Sequence, residues 1–380
     1  MTPFKVDVAV VGAGIVGLAH AYIAARSGRS VAVFERNPAA LGASIRNFGM
    51  IWPIGQPAGR LHLMALRSRE IWLEVLESAK IPHFRTGSLH VAYREDEAAV
   101  AQEFAEKAPP LGYDCAWLSA EDTLERSGAI CREGLLGSLW SATEVTVDPR
   151  QVIRELPGFL AERYGVKFQF DTAVRRVETG LLETAAQRWE PKVTIVAAGD
   201  DFQTLFPECF GDGKLTRCKL QMMRTVPQPG GWQLGPSLAF GLTFTHYPTF
   251  RICWTLAALQ QRIAKESPEL VKNGIHVMAS QNARGELTIG DSHEYGLAVK
   301  IFDEPEINRL ILNFAGTYLR VPRLEIAETW HGVYAKHPEH AYLRMTPVRG
   351  VRVVTVTSGI GMTMSFGIAE ETFREMGATA

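Results

Sequence analysis

Residues 6–17 read VDVAVVGAGIVG, an apolar run that leads directly into three glycines. The first six residues are apolar apart from Asp7, which is typical of a parallel strand buried on both faces. Gly12, Gly14 and Gly17 then follow the spacing G-x-G-x-x-G. The first permits a tight turn, the second lets backbone approach a pyrophosphate, and the third lets helix and strand pack closely. Helical spacing follows, so the free N–H groups and positive dipole end of a helix are expected to face the phosphates.

A second apolar run, Ser30 to Phe34, ends at Glu35, which stands 18 residues after Gly17. A carboxylate at the end of that strand can bind the ribose hydroxyls of a dinucleotide. The combined pattern predicts nucleotide binding, and the alternative is a glycine turn that serves only packing. This unit alone does not distinguish FAD from NAD.

Two further segments favour FAD. Residues 194–199, TIVAAG, form an apolar run that ends in small residues, which would let backbone lie near the cofactor. Residues 359–361, GIG, follow a predicted strand and open a predicted helix. A second helix N-terminus is thereby expected to face another part of a long cofactor, such as the carbonyl edge of the isoalloxazine ring. An NAD enzyme needs no such element at its C-terminus.

The periodicity along the chain predicts an α/β protein. Helices are expected over 61–79, 98–107, 149–164, 304–314, 325–330 and from about 365, with Asp148 as an N-cap and Pro149 as the first helical residue of the third. Strands are expected over 166–170, 173–178, 193–198 and 351–357, and the stretch 215–300 is rich in β-type residues.

The segments that suggest a cofactor lie at the start, the middle and the end of the chain, which favours interleaved domains. We expect a Rossmann-type FAD-binding domain and an α+β substrate-binding domain built on a mixed or antiparallel sheet. The predicted bounds are 1–84, 141–215 and 331–380 for the first domain, and 85–140 and 216–330 for the second.

The composition of the chain limits the classes of partner that are expected to bind it. A net charge of −1 and a pI of about 6.8 favour neither nucleic acid nor an anionic membrane as a bulk partner. Five scattered cysteines indicate reduced thiols in a cytoplasmic protein, and no metal site is assigned. No apolar run approaches the roughly 18 residues of a transmembrane helix, so no membrane span is expected.

Together these features resemble the D-amino-acid oxidase-like flavoprotein family, which includes glycine and sarcosine oxidases. The resemblance covers nearly the whole chain, and beyond the glycine turn it is carried by the segments 42–50 (GASIRNFGM), 197–199 (AAG), 290–296 (GDSHEYG) with 307–309 (INR), 330–334 (WHGVY) and 359–363 (GIGMT). It implies FAD as the cofactor and an amine as the substrate. The GDSHEYG segment resembles a sarcosine-oxidase stretch with an active-site histidine, which implies such a role for His293.

Residues 46–56, RNFGMIWPIGQ, resemble a branch of that family proposed to act on aminophosphonates related to 2-aminoethylphosphonate. Amino-acid oxidases of the family hold the substrate carboxylate with an arginine, and here Tyr334 fills that position. Sarcosine oxidases place a lysine near the flavin, and here the matching position is about Thr363, so the use of oxygen stays open. The chain lacks the C-terminal cysteine and the early histidine to which relatives attach their flavin, which implies non-covalent FAD.

The fingerprint and the resemblance together give a set of expected contacts. Those expected to bind the cofactor are Gly12, Gly14, Ile15, Val16, Gly17, Glu35, Arg36, Ser44, Arg46, Asn47, Phe48, Gly49, Val174, Ala198, Gly199, Gly359, Gly361, Met362 and Thr363. Catalytic roles are expected for His293, Arg46 and Tyr334. Because a phosphonate is a multiply charged anion, it calls for cationic or hydroxyl donors. Candidate substrate contacts are Met50, Arg251, Tyr318, Arg320, Lys336 and His337.

The main hypothesis is FAD-dependent oxidation of the C–N bond of a small amine that bears a phosphonate. The substrate would be 2-aminoethylphosphonate or its N-methyl or 1-hydroxy derivative, converted to an imine and then an aldehyde, with oxygen or another electron acceptor. One alternative is an oxidase or dehydrogenase of a small or secondary amino acid. Another is a flavin-binding electron-transfer or assembly protein without turnover. The oligomeric state is left open.

Overall fold

The computed structural model describes residues 3–211 and 213–378. The α-helices in these residues are α1 (Ile15–Arg26), α2 (Arg60–Ser78), α3 (Glu95–Lys107), α4 (Ala120–Arg126), α5 (Pro149–Tyr164), α6 (Leu242–His246), α7 (Leu256–Glu266), α8 (Pro268–Lys272), α9 (Pro305–Tyr318) and α10 (Gly361–Ala378). The strands are β1 (Phe4–Val11), β2 (Val31–Phe34), β3 (Met50–Ile51), β4 (His83–Phe84), β5 (Ser88–Ala92), β6 (Cys115–Ser119), β7 (Gly137–Ser141), β8 (Val145–Val147), β9 (Lys167–Gln169), β10 (Val174–Glu178), β11 (Leu181–Thr184), β12 (Arg188–Val196), β13 (Thr216–Thr225), β14 (Ser237–Phe240), β15 (Met278–Gln281), β16 (Leu287–Gly290), β17 (Glu294–Gly296), β18 (Ile326–Lys336), β19 (Tyr342–Met345) and β20 (Val351–Val356).

An eight-stranded sheet carries the glycine turn. Strands β20, β12, β1, β2 and β9 run parallel in that order, which places β1 at the centre. Its side chains are buried on both faces, as the apolar run of the sequence predicts: Val10 packs on one face and Ala9 on the other. Strands β10, β11 and β19 add antiparallel partners at the margins.

Helices α1, α2, α5 and α10 cover one face of this sheet and form the largest apolar cluster. Helix α5 begins as the sequence predicts, because the Asp148 carboxylate accepts the N–H of Arg150 at 2.9 Å and Pro149 is the first helical residue. Gly165, with φ of +69°, ends it. The start and the end of α5 therefore agree with local sequence signals.

A nine-stranded sheet has the order β17-β13-β16-β15-β14-β5-β7-β6, and β18 pairs with β13. Its pairs are antiparallel except for β5 with β14. A third, small sheet of β3, β8 and β4 contains Met50. These sheets and their helices confirm the α/β class with a mixed second sheet, while the predicted domain bounds stay a proposal.

One sequence expectation about the elements was wrong, and two were incomplete. Residues 325–330 were expected to be helical, but Ile326 begins β18, whose whole length pairs with β13. The pairing with a distant strand overrides the helix propensity of glutamate and alanine. The β-rich stretch 215–300 also holds the helices α6, α7 and α8. The last helix begins at Gly361 rather than near residue 365. Within the described residues, no helix is long and apolar enough to cross a membrane.

Candidate active site

The glycine turn after β1 is built for close backbone approach. Gly12 has φ of +99°, and a Cβ there would overlap the carbonyl oxygen of Ala197. A Cβ on Gly17 would overlap the carbonyl oxygen of Gly12. The first and third glycines of the motif are therefore fixed by packing of the turn against β12 and α1.

The N-terminus of α1 opens into a cavity of about 340 Å³. The hydroxyl of Ser44 accepts the N–H of Ile15 at 3.0 Å, so the segment 42–50 lies against the helix start. Glu35 is buried at the end of β2, and its carboxylate accepts the N–H groups of Ala13 and Asn37 at 3.0 and 3.1 Å. A carboxylate and a helix N-terminus thus lie at one end of the cavity, where the sequence predicts the ribose and the phosphates.

Most of the residues expected to contact the cofactor line this first cavity. They are Gly12, Gly14, Ile15, Val16, Glu35, Arg36, Ser44, Arg46, Asn47, Val174, Ala198, Gly199, Gly359, Gly361 and Met362. Gly17 and Gly49 line neither this cavity nor the next one; a Cβ on Gly49 would overlap the carbonyl oxygen of Val147. Phe48 and Thr363 line the neighbouring cavity instead.

A second, smaller cavity of about 100 Å³ adjoins the first. The two share wall residues, namely Asn47, Leu220, Tyr334, Gly359 and Met362. The expected site residues Met50 and His293 also line the second cavity. Tyr334 is therefore the one expected catalytic residue that borders both. Burial raises its pKa well above the usual range, so its hydroxyl stays protonated and can donate a hydrogen bond.

Arg46 stands beside the first cavity rather than the second. Its guanidinium donates to the carbonyl oxygen of His331 at 3.3 Å and so ties the segment 42–50 to β18. Thr363, at the start of α10, accepts the N–H of Trp52 at 2.9 Å. The first contact lies beside the first cavity, and the second joins two residues that line the second cavity.

The second cavity contains a cluster of imidazoles that we call the histidine cluster: His246, His276 and His293. One nitrogen of each ring lies within 4.8 Å of the corresponding nitrogens of the other two. Asp291 adjoins the cluster, with its Oδ1 3.1 Å from Nε2 of His276. Burial lowers the pKa of His293 to about 4 and holds the pKa of the other two rings well below the usual range. Burial also raises the pKa of Asp291 well above that of an ordinary aspartate.

Sequence reasoning identified only His293 of this cluster. His246 ends α6, His276 precedes β15, and Asp291 follows β16, so neighbouring segments of the nine-stranded sheet and its helix bring them together. Backbone hydrogen bonds of 3.2 and 2.9 Å pair His276 with Asp291 directly. Their spacing in the sequence matches no motif and gave no signal.

Five candidate substrate contacts line neither cavity: Arg251, Tyr318, Arg320, Lys336 and His337. Tyr318 packs against Tyr93 in an apolar cluster, and the Arg320 guanidinium donates to carbonyl groups at the end of α9. His337 is buried, and its Nδ1 accepts backbone N–H groups. Lys336 lies behind the second cavity with its Nζ 5.8 Å from the ring centre of Tyr295.

The first cavity fits FAD. Its glycine turn leaves room only for backbone, and Glu35 lies where ribose hydroxyls are expected. The start of α10 contributes Gly361 and Met362 to the same cavity, so two helix N-termini border it. A nicotinamide dinucleotide would not require that second helix.

Comparison with known proteins agrees with this geometry. Glycine oxidase of Geobacillus kaustophilus (strain HTA426) is 23% identical over 206 residues, which are 51% of this chain and 55% of that protein. The crystal structure of glycine oxidase from Geobacillus kaustophilus superposes with a TM-score of 0.77 at 19% identity, covering 98% of this chain and 95% of that one. L-proline dehydrogenase from P. horikoshii gives a TM-score of 0.75 at 20% identity, covering 99% and 95%.

These structural similarities establish the fold. The chain also matches the family described as FAD dependent oxidoreductase (DAO) over residues 7–374. That match extends over nearly the entire sequence and confirms the broad family and the cofactor that the sequence predicts. The protein belongs to the DAO family of FAD dependent oxidoreductases.

Proposed function

We propose that this protein oxidises the C–N bond of a small amine that carries a phosphonate, giving an imine and then an aldehyde. The supporting observation is the pair of adjoining cavities. The larger one fits FAD, and the smaller one, of about 100 Å³, is lined by imidazoles and suits a substrate with few non-hydrogen atoms.

In this reaction the carbon next to nitrogen loses a hydride equivalent and the nitrogen loses a proton. Water then converts the imine to an aldehyde and releases ammonia or an alkylamine. Bound FAD would supply the two-electron acceptor. The protein's own residues orient the amine-bearing carbon at the wall between the cavities, where the Tyr334 hydroxyl can donate to the substrate.

The similar proteins support an amine as the substrate that is oxidised. Glycine oxidase and L-proline dehydrogenase are both named for the oxidation of amino acids. The fold is shared with this chain. The proposal extends the type of substrate of these proteins to it.

A phosphonate is supported by the segment 46–56, which resembles the aminophosphonate branch. Among the residues that the structure describes, no arginine or lysine lines the second cavity, and Tyr334 stands where relatives of the resemblance place the arginine that holds a carboxylate. Carboxylates and phosphonates are both commonly bound by a bidentate guanidinium, so this lining argues against the usual amino-acid site and does not by itself favour a phosphonate. The polar groups that remain to bind an anion include the histidine cluster and the Tyr334 hydroxyl.

The test is a comparison of kcat/KM for 2-aminoethylphosphonate, its N-methyl and 1-hydroxy derivatives, glycine and sarcosine. Each is assayed with oxygen and with an artificial dye, so that the choice of electron acceptor does not hide turnover. We expect at least one phosphonate to exceed both amino acids by about tenfold or more, equivalent to about 1.4 kcal/mol of transition-state binding. Preference for glycine or sarcosine would contradict the proposal.

The second candidate is oxidation of a small or secondary amino acid. It is favoured by the likeness to glycine oxidase and L-proline dehydrogenase. The same assay separates the two candidates, because an amino-acid oxidase would have a higher kcat/KM for glycine or sarcosine than for the aminophosphonates. Formation of aldehyde at similar rates from all of these amines would support neither candidate.

A further inference from the structure

We propose that the histidine cluster and Asp291 form the subsite for the substrate's phosphonate, and that this subsite binds the group as its singly protonated monoanion. The inference rests on the proposed function, because it names the group that the second cavity recognises. It assigns a binding role to His246, His276 and Asp291.

The side chains of the subsite are buried and incompletely satisfied. His276 is 3% exposed and Asp291 4%, yet both ring nitrogens of His276 and Oδ1 of Asp291 lack a hydrogen-bond partner in the protein. Their 3.1 Å approach does not have hydrogen-bond geometry. Buried polar groups are costly when unpaired, and because these groups line the second cavity a polar ligand can reach and satisfy them.

The tautomer of His293 sets which kind of atom the ligand must present. Its Nδ1 lies 2.9 Å from the carbonyl oxygen of Gly274, which can only accept, so Nδ1 carries the proton. In the neutral ring Nε2 is then an acceptor. Burial lowers the pKa of His293 to about 4, which keeps the ring neutral near physiological pH. His293 therefore needs a donor from the ligand.

A phosphonate monoanion meets that need. It carries one P–OH donor and two further oxygens that accept, whereas a carboxylate at the same pH has acceptors only. Phosphate-type acids have a second pKa of about 6, so the monoanion is readily available. Asp291, whose pKa burial raises, is a carboxylic acid that can donate to the ligand rather than repel it.

The surroundings favour a single negative charge. The titratable and charged groups that face the cluster are Tyr247 next to α6, Tyr295 on β17, Tyr334 and Lys336 on β18, Cys218 on β13, and, farther off, Arg251. Lys336 is the ammonium whose charge acts on His246 and His293. One nearby cation with neutral imidazoles suits a monoanion better than a dianion.

A metal ion is the alternative ligand for the same residues. Only the rings of His276 and His293 are stacked, at an interplanar angle of 17°, whereas the ring of His246 is tilted by 31° and 38° to them. Zinc takes neutral imidazole nitrogens with no need of a ligand proton, whereas the phosphonate requires its donor O–H. The metal content of the purified variants separates the two ligands.

The test uses the FAD-bound holoenzyme and three ligands without an amine, namely methylphosphonate, methanesulfonate and acetate. Methylphosphonate and methanesulfonate have similar shapes, but the sulfonate monoanion lacks the donor O–H. Titration is followed by the change in flavin absorption. We expect methylphosphonate to bind at least about tenfold more tightly than methanesulfonate or acetate. Equal binding of the sulfonate would overturn the inference.

Phosphorus NMR of bound methylphosphonate locates the proton. Above the second pKa of the free ligand, the bound signal is expected at the shift of the monoanion. A bound signal at the dianion shift would overturn the inference without any variant having to fold.

Variants of buried histidines test whether the phosphonate binds at the histidine cluster. His276→Gln is expected to weaken methylphosphonate binding at least about tenfold and to raise KM for aminophosphonates. The matched control is His90→Gln, since His90 is equally buried with both ring nitrogens unpartnered but lines neither cavity. Equal effects of both variants, or a stoichiometric transition metal lost only in His276→Gln, would contradict the subsite.

The two proposals fail separately. Turnover of aminophosphonates that is unchanged in His276→Gln would overturn the subsite and leave the proposed function standing. Tight methylphosphonate binding at the cluster without turnover of any aminophosphonate would overturn the proposed function and leave the subsite standing.

Discussion

Gly12 lies so close to Ala197 that no side-chain atom fits between them, and its φ of +99° disfavours any residue with a Cβ. Gly12 and Ala197 also line the cavity that fits FAD. A Cβ added at residue 12 would therefore displace the backbone at Ala197 and change the wall of the cavity that fits FAD.

We expect Gly12→Ala to lose FAD. The added Cβ must displace β12 backbone at the cofactor wall, in addition to the roughly 1–2 kcal/mol cost of a left-handed non-glycine residue. The control is Gly28→Ala, where φ is +82° but nothing lies within 4 Å of the added carbon. FAD content of the purified proteins and their unfolding free energies are the measurements. Full FAD occupancy in Gly12→Ala would show that the turn does not contact the cofactor.

At the scale of elements, the start of α10 is fastened to the segment after β3. The hydroxyl of Thr363 accepts the buried N–H of Trp52, and the Trp72 indole donates to the carbonyl oxygen of Met362 at 2.6 Å. These bonds fix the residues that both cavities share.

Thr363→Val should destabilise the FAD-bound protein by about 1–3 kcal/mol, because the buried N–H of Trp52 loses its acceptor. Thr363→Ser retains the hydroxyl and should stay within about 1 kcal/mol of the parent. Urea unfolding of both variants is the measurement. If valine and serine have the same stability, the hydrogen bond does not hold this wall.

Local signals explain which elements were predictable. The strand β1, the glycine turn and α1 are specified by adjacent residues, and the cap at Asp148 acts within one turn of helix. The start of strand β18 was not predictable, because Ala327 and Glu328 favour helix and only the distant β13 makes this segment a strand. The histidine cluster was missed for the same reason: residues 246, 276 and 293 meet only in the folded sheet.

For the whole molecule, buried neutral imidazoles link stability to pH. Burial lowers the pKa of His90 to about 3 and that of His20 to about 4. Between these values and the ordinary value of about 6.5, the unfolded chain binds protons that the folded chain excludes. The free energy of unfolding therefore falls as pH drops below about 6.5, although Asp291, with its raised pKa, opposes this trend.

His90→Gln should remove one of these contributions. From about pH 7 to about pH 5, the parent is expected to lose about 2 kcal/mol more unfolding free energy than the variant. When the unfolding free energy of the variant is subtracted from that of the parent, the contributions of the titratable groups that both proteins share cancel. Urea titrations at several pH values give this difference, and parallel pH profiles would mean that His90 takes up its proton at the same pH in the folded protein as in the unfolded chain.

Oxidation of a phosphonate-bearing amine by bound FAD can be observed by anaerobic mixing of the holoenzyme with substrate. The visible absorption of oxidised flavin is followed with 2-aminoethylphosphonate, its N-methyl and 1-hydroxy derivatives, glycine and sarcosine in turn, and no electron acceptor needs to be known. We predict rapid bleaching by at least one aminophosphonate, with slower bleaching by glycine and sarcosine. Faster bleaching by glycine or sarcosine, or no bleaching by any of these amines, would contradict the account.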